Sequence, residues 1–126
     1  MSEKIKVLSV FGTRPEAIKL APVIHAFNND ARFESIVCVT GQHQEMLDQV
    51  LNLFSIKPHY DLDLMRSNQS LSDITAAVLT QLPAVLEAAT PDWVIVQGDT
   101  TTVMSACLAA FYAHIKIAHV EAGLRT

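Results

Sequence analysis

The chain has 126 residues, which is the size of one domain with a substantial core. Half of the residues are hydrophobic and 17% are charged, so part of the apolar surface is expected to contact another domain or subunit. The net charge of −4 at pH 7 creates no overall field that attracts nucleic acid, and a bound anion would need local cations.

No uncharged apolar run approaches bilayer length, and the first residues lack the apolar core and cleavage site of a signal peptide. A soluble cytoplasmic protein is therefore expected, without membrane contact. Cys38 and Cys107 both fall in apolar segments, which predicts core residues rather than a disulfide or a metal pair. Neither a Gly-x-Gly-x-x-Gly motif nor a Walker lysine motif occurs, which argues against a dinucleotide cofactor and against a nucleoside triphosphatase.

The first predicted element is the apolar, β-branched strand Ile5–Phe11, which is typical of a central parallel strand covered on both faces. Gly12 ends it, and a helix is predicted to start near Arg14. Thr13 and Glu16 have the spacing of a capping box, in which each side chain binds one free amide at the helix start.

Two cations lie in the first two turns of that helix, where the helix dipole disfavours them. A phosphate or diphosphate held by Gly12, Arg14, Lys19 and the free amides would resolve the conflict. Alternatively, Arg14 pairs with Glu16 or a distant carboxylate while Lys19 is solvated. Local sequence favours neither reading.

Strands and helices alternate through the rest of the chain. The first helix is predicted to be kinked or divided at Pro22 and to reach Asn28; a strand at 35–40, a helix after His43 and a short edge strand at 61–64 follow. The next helix is opened by a cap at Ser70 and bent at Pro83. A strand at 93–97, an apolar helix to about His114 and a strand at 116–120 complete the predicted order.

This alternation predicts an α/β fold with a doubly wound parallel sheet, Rossmann-like, with helices on both faces. Ligands of such sheets bind beyond the carboxyl ends of the strands. We call the turns at those ends, residues 12–19, 42–43, 98–100 and 121–123, the rim. Gln42 and His43 lie on it.

The rim also carries Asp99 and Glu121, each just past an apolar strand. Partial desolvation would suit both carboxylates to proton transfer beside an anionic leaving group. Taken singly, each also has a structural interpretation: Asp99 as a helix cap, and Glu121 as a partner of Arg125 or Arg14. His119, inside the last strand, is predicted to be hydrogen-bonded in or near the core.

Four segments in order resemble the non-hydrolysing bacterial UDP-N-acetylglucosamine 2-epimerases: residues 11–19 (FGTRPEAIK), 40–43 (TGQH), 98–102 (GDTTT) and 119–126 (HVEAGLRT). The resemblance implies the first part of the N-terminal domain of a GT-B type enzyme with two Rossmann-like domains. Residues 1–126 would then be a single truncated domain, and the second, UDP-binding domain would be absent.

The resemblance implies interconversion of UDP-GlcNAc and UDP-ManNAc by elimination and re-addition of UDP, without a cofactor or metal. It implies catalytic roles for Lys19, Asp99 and Glu121, with Arg14 and Gly12 at the substrate. Gln42 and His43 match part of a regulatory UDP-GlcNAc site of some members. A homodimer acting on a UDP-sugar, in a polysaccharide pathway, is expected.

Because further catalytic residues of the family would follow residue 126, we expect this chain alone to be inactive. Two other functions stay open at this level. One is the acceptor-side domain of a GT-B glycosyltransferase, which shares the sheet and the cleft. The other is a non-catalytic domain that self-associates through an exposed apolar face.

Overall fold

The structure, a computed structural model, describes residues 3–41, 44–64 and 66–121. Its elements in chain order are β1 (Ile5–Phe11), α1 (Arg14–Asn28), β2 (Phe33–Val39), α2 (Gln44–Leu53), β3 (Tyr60–Asp61), α3 (Leu71–Ala89), β4 (Trp93–Gln97), α4 (Thr101–Tyr112) and β5 (Lys116–Val120). The strands form one sheet in the order β3-β2-β1-β4-β5, and every neighbouring pair is parallel. The predicted fold class, a doubly wound Rossmann-like sheet, is confirmed.

Strand β1 lies at the centre of the sheet, and its side chains alternate between two cores. Val7 and Phe11 pack on the face that α1 and α2 cover. Leu8 and Val10 pack on the opposite face, under α3 and α4. The unbroken apolarity of the strand therefore follows from burial on both faces.

The division of α1 that the sequence allowed at Pro22 is not found, and the helix predicted to bend at Pro83, α3, is also continuous. A proline removes one amide donor from the helix, but the buried residues around it, such as Ala21 and Ile24, still hold the helix against the sheet. Packing of the apolar face therefore outweighs the local loss.

Element boundaries differ slightly from the sequence-based ones. Strand β2 spans Phe33–Val39 rather than 35–40, and the predicted edge strand is the two-residue β3 beside it. The predicted cap at Ser70 is confirmed: its hydroxyl accepts from the Asp73 amide at 3.0 Å, while the Asp73 carboxylate accepts from the Ser70 amide. Across the residues described, no helix has the length and hydropathy that a bilayer crossing requires.

Both cysteines are free thiols, as predicted. Cys38 is fully buried in β2, and Cys107 on α4 packs against the same core. Burial, with a smaller effect of the Asp61 charge, raises the pKa of the Cys38 thiol to about 12. Burial raises the pKa of Cys107 as well. Raised thiol pKa values suit packing residues rather than nucleophiles.

The buried thiol predicts a loss of stability in alkali. Above the ordinary thiol pKa of 9.0 the unfolded chain releases the Cys38 proton while the folded chain keeps it, so the unfolding free energy falls as pH rises. Between about pH 8 and pH 10 we expect wild type to lose roughly 1 kcal/mol more than Cys38→Ala. Urea unfolding followed by fluorescence of Trp93, the single tryptophan, measures this difference. Equal pH slopes in the two proteins would contradict it.

Candidate functional site

The sheet has two halves, β3-β2-β1 and β4-β5, which meet where β1 lies beside β4. The helix that follows β1 packs on one face, and the helix that follows β4 packs on the other. Doubly wound sheets bind ligands in a crevice between the carboxyl ends of two such strands, and we refer to this space here as the crevice. The turns 12–13 and 98–100 flank it.

Glu16 organises the turn after β1. Its side chain is only 2% exposed. Its carboxylate accepts from the Gly12 amide at 3.2 Å and from the Thr13 hydroxyl at 2.6 Å. The predicted capping box does not form as expected. Thr13 is the N-cap residue, but its hydroxyl donates to Glu16 instead of accepting from a helix amide, and the Glu16 carboxylate accepts from the amide of Gly12, one residue before the cap.

The same carboxylate also reaches the turn after β4. The Thr100 hydroxyl donates to Glu16 Oε2 at 3.3 Å and accepts from the Val103 amide, which caps α4. Glu16 is thus hydrogen-bonded to turns on both sides of the crevice. The sequence analysis missed this role, although a signal was present: Glu16, Leu20 and Ile24 recur at the four-residue spacing of a buried helix face.

The two cations of the rim are exposed on α1. Arg14 is the first residue of the helix, and Lys19 follows in the second turn. Five residues of helix place them about 140° apart around the helix axis. Arg14 and Lys19 thus project from different sides of the helix start, so a shared ligand would be contacted from two directions.

The ends of β4 and β5 are joined by His119. Its Nε2 lies 2.6 Å from the Gly98 carbonyl oxygen and 3.6 Å from Glu121 Oε2. The predicted hydrogen bond of His119 is therefore present, but the side chain is 47% exposed rather than in the core. Through Gly98, this contact places Glu121 near the turn that carries Asp99.

The predicted partial desolvation is not found at Asp99, whereas the Glu121 side chain is partly shielded from water. Asp99 is exposed, and the Glu121 side chain is 33% exposed. Asp99 lies two residues after the end of β4, and Glu121 directly follows β5. Gln42 and His43 lie outside the described residues.

The fold and this rim define an α/β protein of the doubly wound, Rossmann-like class, with polar residues gathered at the carboxyl ends of β1, β4 and β5. A sequence model described as UDP-N-acetylglucosamine 2-epimerase matches residues 25–126. The chain belongs to this family.

Individual relatives agree with this assignment. The UDP-N-acetylglucosamine 2-epimerase of Yersinia pestis is 62% identical over 122 residues, covering 97% of this chain and 32% of the relative. The crystal structure of the Neisseria meningitidis enzyme bound to UDP-GlcNAc matches with a TM-score of 0.90 at 58% identity, covering 97% of this chain and 33% of that one.

A more distant relative has the same fold. The Methanocaldococcus jannaschii enzyme in complex with UDP-GlcNAc and UDP matches with a TM-score of 0.88 at 35% identity, over 96% of this chain and 33% of that one. The chain therefore spans about a third of the length of the relatives it matches. The resemblance drawn from the four sequence segments is confirmed.

Two glycines at strand ends predict unequal tolerance of alanine. Gly41 and Gly98 both have positive φ, at 77° and 88°, which costs a non-glycine residue about 1–2 kcal/mol. At Gly98 an added Cβ meets no atom within 4 Å, whereas at Gly41 it lies 2.9 Å from Asp63 Cα. We expect Gly41→Ala to lower the unfolding free energy more than Gly98→Ala. Urea unfolding of both variants tests this, and the reverse order would contradict it.

Proposed function

We propose that this chain forms the N-terminal part of an enzyme that interconverts UDP-GlcNAc and UDP-ManNAc. The observation that carries the proposal is its match, over 97% of its length, to an epimerase structure containing UDP-GlcNAc. The switch-point crevice, with cations on one turn and a carboxylate on the other, supports it. The reaction needs both kinds of group, because a diphosphate leaves as a proton is transferred.

The cationic side of the rim suits the diphosphate. Gly12 allows close approach of the backbone, and the start of α1 contributes free amides and the positive end of the helix dipole. Arg14 and Lys19 would neutralise the charge that develops on UDP as the bond between sugar C1 and the diphosphate oxygen breaks. Gln42 and His43 stay predicted contacts for a UDP-sugar.

Asp99 and Glu121 would carry the proton. The C2 hydrogen is not next to a carbonyl, so it becomes acidic only as the C1–O bond breaks. One carboxylate removes this proton while UDP leaves with the bonding electron pair, which forms the 2-acetamidoglucal. Re-addition of UDP at C1, with protonation of C2 from the other face, gives the epimer. Two carboxylates near opposite faces of the sugar suit this sequence.

The remaining functional predictions extend this proposal. Because the chain spans about a third of its relatives' length, we expect a second domain to be needed for the uridine group, and we expect residues 1–126 alone to be inactive. A cytoplasmic homodimer that supplies UDP-ManNAc to polysaccharide biosynthesis stays a prediction.

Isotope exchange tests the chemistry. We would incubate the complete product of the reading frame that encodes this chain with UDP-GlcNAc in deuterium oxide. Deuterium should then appear at C2 of the sugar, which NMR measures. We expect Asp99→Asn to slow this exchange by about 100-fold or more, as for loss of an acid-base group. Asp48→Asn, at an exposed position on α2, is the matched control and should keep the wild-type rate.

Two outcomes would contradict the proposal. Wild-type protein without exchange at C2, but with glycosyl transfer to an acceptor, would favour the glycosyltransferase interpretation. Exchange by residues 1–126 alone, absent from its Asp99→Asn variant, would show that the second domain is not required.

The cations can be tested by binding alone. Each of Arg14→Ala and Lys19→Ala should weaken binding of UDP to the complete gene product by about tenfold or more, because each removes charge-assisted hydrogen bonds worth about 1.5–3 kcal/mol. Lys57→Ala is the control, because Lys57 is exposed just before β3, at the opposite end of the sheet. Calorimetric titration measures these affinities. An equal effect of all three variants would indicate non-specific charge attraction.

A further inference from the structure

Glu16 is a buried carboxylate that the proposed reaction does not use. It lies in the first turn of α1, 2% exposed, between the two cations of the rim in sequence. Burying a carboxylate costs several kcal/mol unless hydrogen bonds compensate for the lost water. A structural cap at a helix start needs no such burial, so the position of Glu16 calls for a more specific role.

The donors to Glu16 come from two separate parts of the chain. Gly12 and Thr13 belong to the turn after β1, and Thr100 belongs to the turn after β4. The Glu16–Thr100 contact crosses the crevice between the two halves of the sheet. A displacement of either turn would break at least one of these bonds.

The residues joined in this way are sequence neighbours of one residue proposed to bind substrate and one proposed to be catalytic. Arg14 follows Thr13, and Asp99 precedes Thr100. The Thr100 hydroxyl makes two hydrogen bonds, because it donates to Glu16 and accepts from the Val103 amide. The carboxylate thus sets the distance between the turn that carries the cations and the turn that carries Asp99.

We propose that Glu16 is a positioning residue for the reaction, which sets Asp99 relative to the cationic helix start through its bond to Thr100. This inference rests on the proposed function for its catalytic consequence. The hydrogen-bonded connection between the two turns stands independently of it. Misplacing a reacting group by about 1 Å can cost 100-fold in rate, so a connection of this kind can matter without touching substrate.

The first test compares Thr100→Val with Thr100→Ser in the complete gene product. Valine removes the hydroxyl at nearly constant shape, and serine keeps it. We expect Thr100→Val to lower kcat for exchange at C2 by about tenfold or more with KM within about threefold, and Thr100→Ser to stay within about threefold of wild type.

Glu16→Gln gives a second variant at the other end of the bond. An amide has one accepting oxygen, whereas the carboxylate accepts on both, so glutamine cannot accept from Gly12 and from both threonine hydroxyls. We expect a fall in kcat of at least the size seen in Thr100→Val. The double variant should lose less than the product of the two single losses, because both remove the same bond.

A second readout does not depend on activity. Gly12 lies on the far side of the crevice from Thr100, and its amide donates to Glu16. If Glu16 joins the turns, Thr100→Val should speed hydrogen exchange of the Gly12 amide, measured by NMR, by about tenfold, while Thr100→Ser should not.

The outcomes separate this inference from the proposed function. Wild-type kcat and wild-type Gly12 exchange in Thr100→Val would overturn the positioning role, as would equal impairment in Thr100→Ser. So would a loss of activity that matches the unfolded fraction of each variant. If wild type does not exchange C2 hydrogen at all, the proposed function fails, and Gly12 exchange alone decides whether Glu16 joins the two turns.

Discussion

The structure depends on β1 being hydrogen-bonded on both sides and covered on both faces. It pairs in parallel with β2 along its whole length and with β4 over residues 7–9. Its side chains enter both cores, so neither layer of helices can pack without it. After β1 the chain forms β2 and β3 on one side, and it then forms β4 and β5 on the other side. The crevice beside β1 is a direct consequence of this change of direction.

The crevice is held by polar groups, in contrast to the apolar core beneath it. Glu16 is a buried charged residue beside the crevice, and it accepts hydrogen bonds from both flanking turns. These donors help to offset the free-energy cost of burying the carboxylate. Apolar packing is tolerant of small shifts, but hydrogen bonds are directional, so this carboxylate restricts the turns more tightly than side-chain packing would.

Apart from Glu16, the charged residues of the rim that the structure describes are exposed wholly or in part. Asp99, Arg14 and Lys19 are solvent-accessible, and Glu121 is partly so. Exposed charges interact weakly because water screens them. Their use in acid-base chemistry requires water to be excluded, and this chain spans about a third of its relatives' length. In the part of the chain that the structure describes, these charges stay in contact with water.

The sequence by itself determined the element order, the parallel sheet and the ends of the strands at which polar residues collect. These features follow from local periodicity and turn chemistry: the apolar run before Gly12, the cap at Ser70, and the glycines at positions 41 and 98. The sequence also placed the rim residues on one edge, because parallel strands end on the same side.

Only the tertiary structure decided what these residues contact. Helix α1 continues through Pro22 because packing against the sheet outweighs one lost amide bond. Thr13 donates to Glu16 instead of capping the helix, and Glu16 reaches Thr100, which is 84 positions away in the chain. Such a partner depends on strand order and on the distance between two turns. Neither leaves a pattern in local sequence, because periodicity reports which face is buried and not which side chain lies opposite.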